Sequence, residues 1–178
     1  MPHKILPIGA ATALAFAATV SCAGVEVRFV EPDKYADVRD FAGYRDQQRV
    51  LDEIQAHFQA LGDRQLAPGR DLLIEITDID LAGQVEPIGR RMEMLRVMRS
   101  VGGPSMQLRY ILRDASGKEL SKGETRLSDL GYMEGLNRYP SGDPLRYEKR
   151  MMDKWFNAEF AAEERKVTEL VNGAAPGN

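Results

Sequence analysis

Near its middle the chain reads Leu72-Leu73-Ile74-Glu75-Ile76-Thr77-Asp78-Ile79-Asp80-Leu81-Ala82-Gly83, its most apolar run outside the N-terminus. The β-branched residues, with a glycine near either end, predict a buried strand. Up to Ile76, apolar side chains occupy every second position, at the even numbers 72, 74 and 76. From Ile79 onward the apolar side chains again occupy every second position, but at the odd numbers 79 and 81. Because both sets must face one core, we predict an inserted residue, a β-bulge, near Thr77 and Asp78.

The segments before this strand predict a second strand and a helix. Residues 25–30 alternate apolar and polar side chains, which is typical of a half-exposed strand with its apolar side facing inward. Between residues 45 and 61, apolar side chains recur in one stripe of a 3.6-residue period, as in an amphipathic helix. Gly62 predicts the end of that helix.

The segments that follow the central strand have a less regular pattern of apolar and polar residues. Residues 84–104 are interrupted by prolines and glycines, and only a short strand at residues 95–98 is predicted there. Residues 105–113 and 119–127 alternate in polarity and are joined by a turn at 114–117, which predicts a hairpin. Lysine and glycine in the middle of its second strand favour an edge position in the sheet.

A second helix is predicted from Asp143-Pro144 to about Leu170, because aspartate caps helices and proline suits the first helical position. Its apolar side contains Trp155 and Phe156, which we assign to the core. The order of elements predicts an α+β fold, a two-layer sandwich with a mostly antiparallel sheet and two helices packed on one face.

The N-terminus predicts export. Residues 1–23 combine a weakly basic start, an apolar alanine-rich segment and small residues before Gly24, as in a signal peptide. Residues 24–171 then form a single α+β domain, and residues 172–178 a disordered tail. The apolar segment is too short and too rich in alanine for a membrane span. We therefore expect a periplasmic or secreted protein with no transmembrane span in the mature chain.

Cys22 is the only cysteine, and it allows an alternative form of processing in which it is lipidated rather than removed with the signal peptide. Thr19-Val20-Ser21-Cys22 is a loose version of the bacterial lipoprotein box, with threonine in place of the usual leucine. Lipidation of Cys22 would anchor the protein to the outer membrane. In either case no disulfide forms within the chain, so the fold depends on its core.

Charge is unevenly distributed, although the 178 residues sum to a net charge of only −3. Residues 24–89 hold 7 basic and 14 acidic side chains, whereas residues 90–126 hold 9 basic and 4 acidic ones. A nucleic-acid-binding domain is basic overall, so the sequence excludes that class of partner.

Three spaced motifs resemble one exported bacterial family, the domain of unknown function 3016 family. They are Val27-Arg28-Phe29-Val30-Glu31-Pro32-Asp33-Lys34-Tyr35, Thr77-Asp78-Ile79-Asp80-Leu81-Ala82-Gly83, and Leu145-Arg146-Tyr147-Glu148-Lys149-Arg150 with Trp155-Phe156. The resemblance covers nearly the whole mature chain, although the family's Tyr-Pro-Pro before the hairpin reads Gly102-Gly103-Pro104 here. It implies a periplasmic or envelope protein and supplies no activity, cofactor or catalytic residue.

Glu75, Asp78 and Asp80 form a candidate polar cluster. Paired carboxylates can bind a divalent cation or divide the roles of acid and base. The segment that begins at Asp78 does not match a calcium-binding loop, because its fifth and twelfth positions are Ala82 and Gly89 rather than oxygen ligands. We therefore predict that Asp78 and Asp80 accept backbone N–H bonds or pair with arginines, and we assign no metal.

His57 is the only histidine left after export, and it borders the apolar stripe of the first helix. As a general base it would need a serine or threonine to activate, and no Gly-x-Ser-x-Gly motif exists. We predict that its ring packs beside the core.

Six arginines form a candidate anion-binding surface: Arg90, Arg91, Arg96, Arg99, Arg109 and Arg113. Guanidinium groups match phosphate and carboxylate oxygens, so these side chains suit lipid head groups, anionic glycans or an acidic protein. The alternative is a solvated face that balances the acidic first third of the chain.

These observations predict an uncharacterised exported envelope or periplasmic protein, a non-enzymatic module that binds a protein or an anionic envelope component, with no cofactor. One alternative is a small periplasmic hydrolase or metal-dependent enzyme using Asp78 and Asp80. Another is an accessory lipoprotein anchored through Cys22. The sequence does not decide whether the protein is an enzyme, although it favours a protein without enzymatic activity. It identifies no catalytic residue.

Overall fold

A computed structural model of the chain describes residues 24–35, 44–100 and 102–173, with side chains except at 44–46 and 161–173. The predicted signal peptide, Cys22 and the last five residues of the predicted tail lie outside these ranges. The elements are β1 (Gly24–Phe29), a 3-10 helix (Pro32–Lys34), α1 (Tyr44–Gln65), β2 (Arg70–Asp80), β3 (Gln84–Ile88), β4 (Glu93–Val97), β5 (Ser105–Asp114), β6 (Glu119–Ser128) and α2 (Arg146–Gly173).

The larger sheet confirms the predicted α+β fold. Its four strands lie in the order β1-β2-β5-β6, with β1 parallel to β2 and the other pairings antiparallel. Both helices pack against one face, and the core between the layers includes the fully buried Phe58, Ile76 and Phe156. β6 occupies an edge, as predicted, and the apolar side of β1 packs against the core.

The predicted β-bulge is present in β2. Ile76 pairs with Leu108 and Asp78 pairs with Gln107, so Thr77 is the inserted residue. The extra residue restores the alternation, and both Ile76 and Ile79 are buried. Sequence parity alone located this irregularity.

The predicted end of the first helix is wrong, because α1 continues past Gly62 to Gln65. A Cβ atom at Gly62 would lie 2.1 Å from Cγ2 of Val25 on β1. Glycine at this position permits a close contact between helix and strand rather than a helix end.

The second helix begins later than predicted, at Arg146 rather than at the Asp143-Pro144 pair. Asp143 instead accepts the N–H of Leu145 at 2.9 Å in a turn that leads into the helix. The helix also extends beyond the predicted end, to Gly173. Among the described residues, no helix is long and apolar enough to cross a membrane.

Strands β3 and β4 form a separate two-stranded ribbon, where the sequence predicted only one short strand at residues 95–98. Gln84 pairs with Val97 at the base and Ile88 with Glu93 near the turn. Neither strand of the ribbon contains a buried residue, so no alternation of apolar and polar side chains is required there. Pro87 also lies within the ribbon, and proline is uncommon inside strands.

Candidate functional site

The β3–β4 ribbon is separate from the larger sheet, and residues 87–95 around its turn are all exposed. Its strands pair only with each other, and a tight turn joins them. The N–H of Met92 donates to the carbonyl oxygen of Gly89 at 3.2 Å, which places Arg90 and Arg91 at the two central positions of the turn. Isolated two-stranded ribbons are marginally stable in water, so this element is unusual unless it contacts something else.

Apolar side chains near the turn are exposed on both faces of the ribbon. Ile88 and Leu95, which are 43% and 49% exposed, lie on one face. Met94 lies on the other face and is 62% exposed, and Met92 at the turn is 64% exposed. Several large apolar side chains exposed together at one end of an element are typical of an interaction site.

The two arginines of the turn are also exposed. Neither Arg90 nor Arg91 forms an ion pair or hydrogen bond within the part of the chain that the structure describes. Their charges are therefore available to an external anion.

Arg96 joins the base of the ribbon to the sandwich. Its guanidinium group donates to the carbonyl oxygens of Ala82 and Pro144 and to Oε1 of Glu148, the last at 2.6 Å. Glu148 is fully buried and also accepts the N–H of Ala82 at 2.8 Å. The end of β2, the base of β4 and the start of α2 thus meet at one buried ion pair.

A second set of contacts lies just beyond the base of β4. The backbone N–H of Arg99 donates to the hydroxyl of buried Tyr132 at 3.0 Å, and that hydroxyl donates to the Arg99 carbonyl oxygen. The Arg99 side chain pairs with Glu86 of β3 at 2.6 Å. The base of the ribbon is therefore fixed, while residues 87–95, which form its outer part, are all exposed.

The predicted anion surface is divided among three places: Arg90 and Arg91 at the ribbon tip, Arg96 and Arg99 at its base, and Arg109 and Arg113 on the sheet face opposite the helices. The structure brings only the first pair together as unpaired, exposed charges. Arg109 approaches Glu75 on the same face at 3.6 Å, with both side chains partly exposed.

Asp78 and Asp80 flank buried Ile79, so both point away from the core. Asp78 lies near the hydroxyl of Tyr35, which donates to the Ile76 carbonyl oxygen at 2.6 Å. Burial, with a smaller contribution from the charge of Asp78, raises the pKa of Tyr35 to about 12. No three His, Cys, Asp or Glu side chains among the described residues converge as metal ligands.

His57 lies beside the core on α1, where the sequence placed it, and makes a contact that the sequence did not reveal. Its Nε2 lies 2.9 Å from Oδ1 of Asp153 on α2, and both side chains are 9% exposed. Oδ2 of Asp153 accepts the hydroxyl of Tyr139 and pairs with Arg138, each at 2.7 Å. Burial alone raises the pKa of Asp153, but these hydrogen bonds and nearby positive charges outweigh burial and hold it below the usual value.

An open cleft of about 560 Å³ lies between α1 and the start of α2, beside His57. Lys149 bridges its two carboxylates, Asp143 at 2.7 Å and Glu53 at 3.4 Å. No serine, threonine or cysteine from the described part of the chain lines the cleft. His57 therefore has no nucleophile to activate there, and the charged groups of the cleft are paired within it.

The family model described as Protein of unknown function (DUF3016) matches residues 23–158, more than half of the chain. The chain belongs to this family, which confirms the resemblance drawn from its motifs; the exported, bacterial character of the family stays a prediction. Comparisons with curated proteins and with solved structures found no match.

Proposed function

We propose that this protein is an exported, non-enzymatic module of the cell envelope that binds an anionic partner through the β3–β4 ribbon. One observation carries the proposal: the ribbon tip combines exposed apolar side chains with two unpaired arginines. Apolar contact supplies affinity, and the arginines select negative charge and orient the approach.

The rigid base of the ribbon supports this function. Because Arg96 is fixed against Ala82 and Glu148, the ribbon projects from the sandwich at a defined place. A binding element held in this way loses little conformational freedom when its partner arrives.

No observation favours the alternative enzyme that uses Asp78 and Asp80. The two side chains lie on the outer face of β2, and the polar groups of the cleft beside His57 are engaged with one another. Residues 1–23 serve for export in this proposal, with Cys22 either removed or lipidated.

The test is retention of the protein on washed envelope membranes. The protein used begins at Gly24, the first residue of β1, and so contains every described element. The ribbon variant carries Arg90→Ser, Arg91→Ser and Met94→Ser. The control carries Lys118→Ser, Leu120→Ser and Lys122→Ser at the exposed β5–β6 hairpin, which removes the same charge and one apolar side chain.

We expect the wild type and the control to be retained and the ribbon variant to remain in the supernatant. Circular dichroism and melting temperature verify that all three proteins are folded. Equal retention of the ribbon variant and the wild type would refute the proposed function.

A further inference from the structure

We infer that the anionic partner is the surface of a phospholipid bilayer, into which the ribbon tip inserts to the depth of the head groups. This inference rests on the proposed function and names the partner of the same ribbon. Its basis is the distribution of apolar and charged side chains around the turn.

Exposed apolar side chains on both faces of the ribbon favour a partner that surrounds it. A flat protein surface that covers Ile88 and Leu95 would leave Met94 on the opposite face in water, whereas a lipid interface contacts both faces. Leu95 lies only three residues from Met92 at the turn, so at about 3.3 Å per residue all four side chains lie within roughly 10 Å of the tip. That length matches the depth to which interfacial elements enter the head-group boundary.

The arginines at the turn suit lipid phosphates. Each has a long aliphatic stem that can lie along apolar surface while the guanidinium group stays at the phosphate level. Guanidinium donors match phosphate oxygens in pairs. Arg90 and Arg91 have no ion pair among the described residues that binding would have to break.

Two features limit the depth and orientation of insertion. The ribbon has two strands only, so each has an edge with unpaired backbone groups, and such groups are costly in hydrocarbon. Insertion therefore stops at the interface. The whole chain has a net charge of −3 despite the basic tip, so an anionic surface attracts the tip and repels the acidic remainder of the protein.

Glu93 provides a sharp test, because it is an exposed acidic side chain on the same face as Ile88 and Leu95. Near an anionic membrane its charge opposes binding. Glu93→Gln removes that charge without changing the size of the side chain, and binding to anionic lipid is expected to rise about fivefold.

The experiment measures sedimentation of the chain that begins at Gly24 with two vesicle types: phosphatidylglycerol mixed with phosphatidylcholine, and phosphatidylcholine alone. We expect binding to the anionic vesicles only, weakened by salt. The Arg90→Ser, Arg91→Ser, Met94→Ser variant should bind roughly 30-fold more weakly, and the hairpin control should bind like the wild type.

Insertion itself is measured with a fluorophore. Cys22 is the only cysteine, so the chain from Gly24 contains none, and Met94→Cys and Leu120→Cys each give one labelling site. An environment-sensitive dye at position 94 should shift to the blue on anionic vesicles, and the same dye at position 120 should not.

The outcomes separate this inference from the proposed function. Absent vesicle binding, equal binding to neutral vesicles, or weaker binding by Glu93→Gln would overturn the lipid inference. If the lipid inference is overturned but washed envelopes retain the wild type and not the ribbon variant, the proposed function stands with a protein or glycan partner. If the ribbon variant matches the wild type in both assays, both proposals fail.

Discussion

At the scale of single residues, the buried carboxylate of Glu148 joins the end of β2, the base of β4 and the start of α2. One oxygen accepts both the Ala82 N–H and the Arg96 guanidinium, and the side chain is fully buried. Its other oxygen has no hydrogen-bond partner among the residues that the structure describes. A buried charge of this kind costs free energy by itself, so its value to the fold depends on keeping its partner.

We predict that Glu148→Ala lowers the free energy of unfolding by about 3–5 kcal/mol, because it removes the buried carboxylate that the Arg96 guanidinium contacts at 2.6 Å. Glu124→Ala, at an exposed position of β6, should change it by less than about 0.5 kcal/mol. Urea unfolding midpoints measure both. Similar small effects for the two variants would mean that the Arg96–Glu148 pair does not hold the ribbon.

Asp153 makes stability depend on pH. Its pKa is lowered in the folded state, so it stabilises the fold above its unfolded pKa, near 3.9, and this contribution is lost as the pH falls through the folded pKa. Asp129 and Asp143 have lowered pKa values too, so they contribute to acid unfolding.

We expect Asp153→Asn to be less stable than the wild type near neutral pH, with a difference that shrinks as the pH falls below about 4. Urea midpoints of both proteins over this pH range provide the measurement. A difference that is independent of pH would show that the carboxylate's charge contributes nothing.

At the scale of the elements, the close contact between α1 and β1 depends on the absence of a side chain at Gly62. Gly62→Ala places a methyl group against Val25, and such overpacking costs about 1–3 kcal/mol. Val25→Ala should remove the clash, so adding Gly62→Ala in that background should cost much less. Unfolding midpoints of the four proteins test this, and an equal cost in both backgrounds would contradict the contact.

Sequence reasoning succeeded where side chains face one core. The change of parity between Ile76 and Ile79 predicted the bulge, because only an inserted residue lets both isoleucines be buried. It failed at the ribbon, whose exposed apolar residues follow no periodicity.

Tertiary pairing was the other limit of sequence reasoning. One buried stripe of α2 contains residues at a spacing of four: Glu148, Met152 and Phe156. A carboxylate in such an apolar stripe indicates that a partner cation or hydrogen-bond donor is buried beside it. Nothing local identifies Arg96 as that partner, since it lies 52 residues away in the chain. For the same reason, His57 was placed beside the core but its contact with Asp153 was not foreseen.

At the scale of the whole molecule, the export proposed for this protein would determine which surfaces it meets. We predict that protein recovered from the native envelope begins at Gly24, and intact-mass measurement establishes its N-terminus. A chain that retains residues 1–23 would contradict export. A mass that includes a diacylglycerol on Cys22 would instead identify a lipid-anchored form.

We propose that the β3–β4 ribbon is the part of the molecule that contacts its partner. Photo-crosslinking in living cells tests it most directly, with a photoreactive amino acid placed at Met94 on the ribbon or at Leu120 on the β5–β6 hairpin, both exposed. We predict crosslinks to envelope components from position 94 and none from position 120. Crosslinks from position 120 alone, or equal crosslinks from both positions, would contradict the claim.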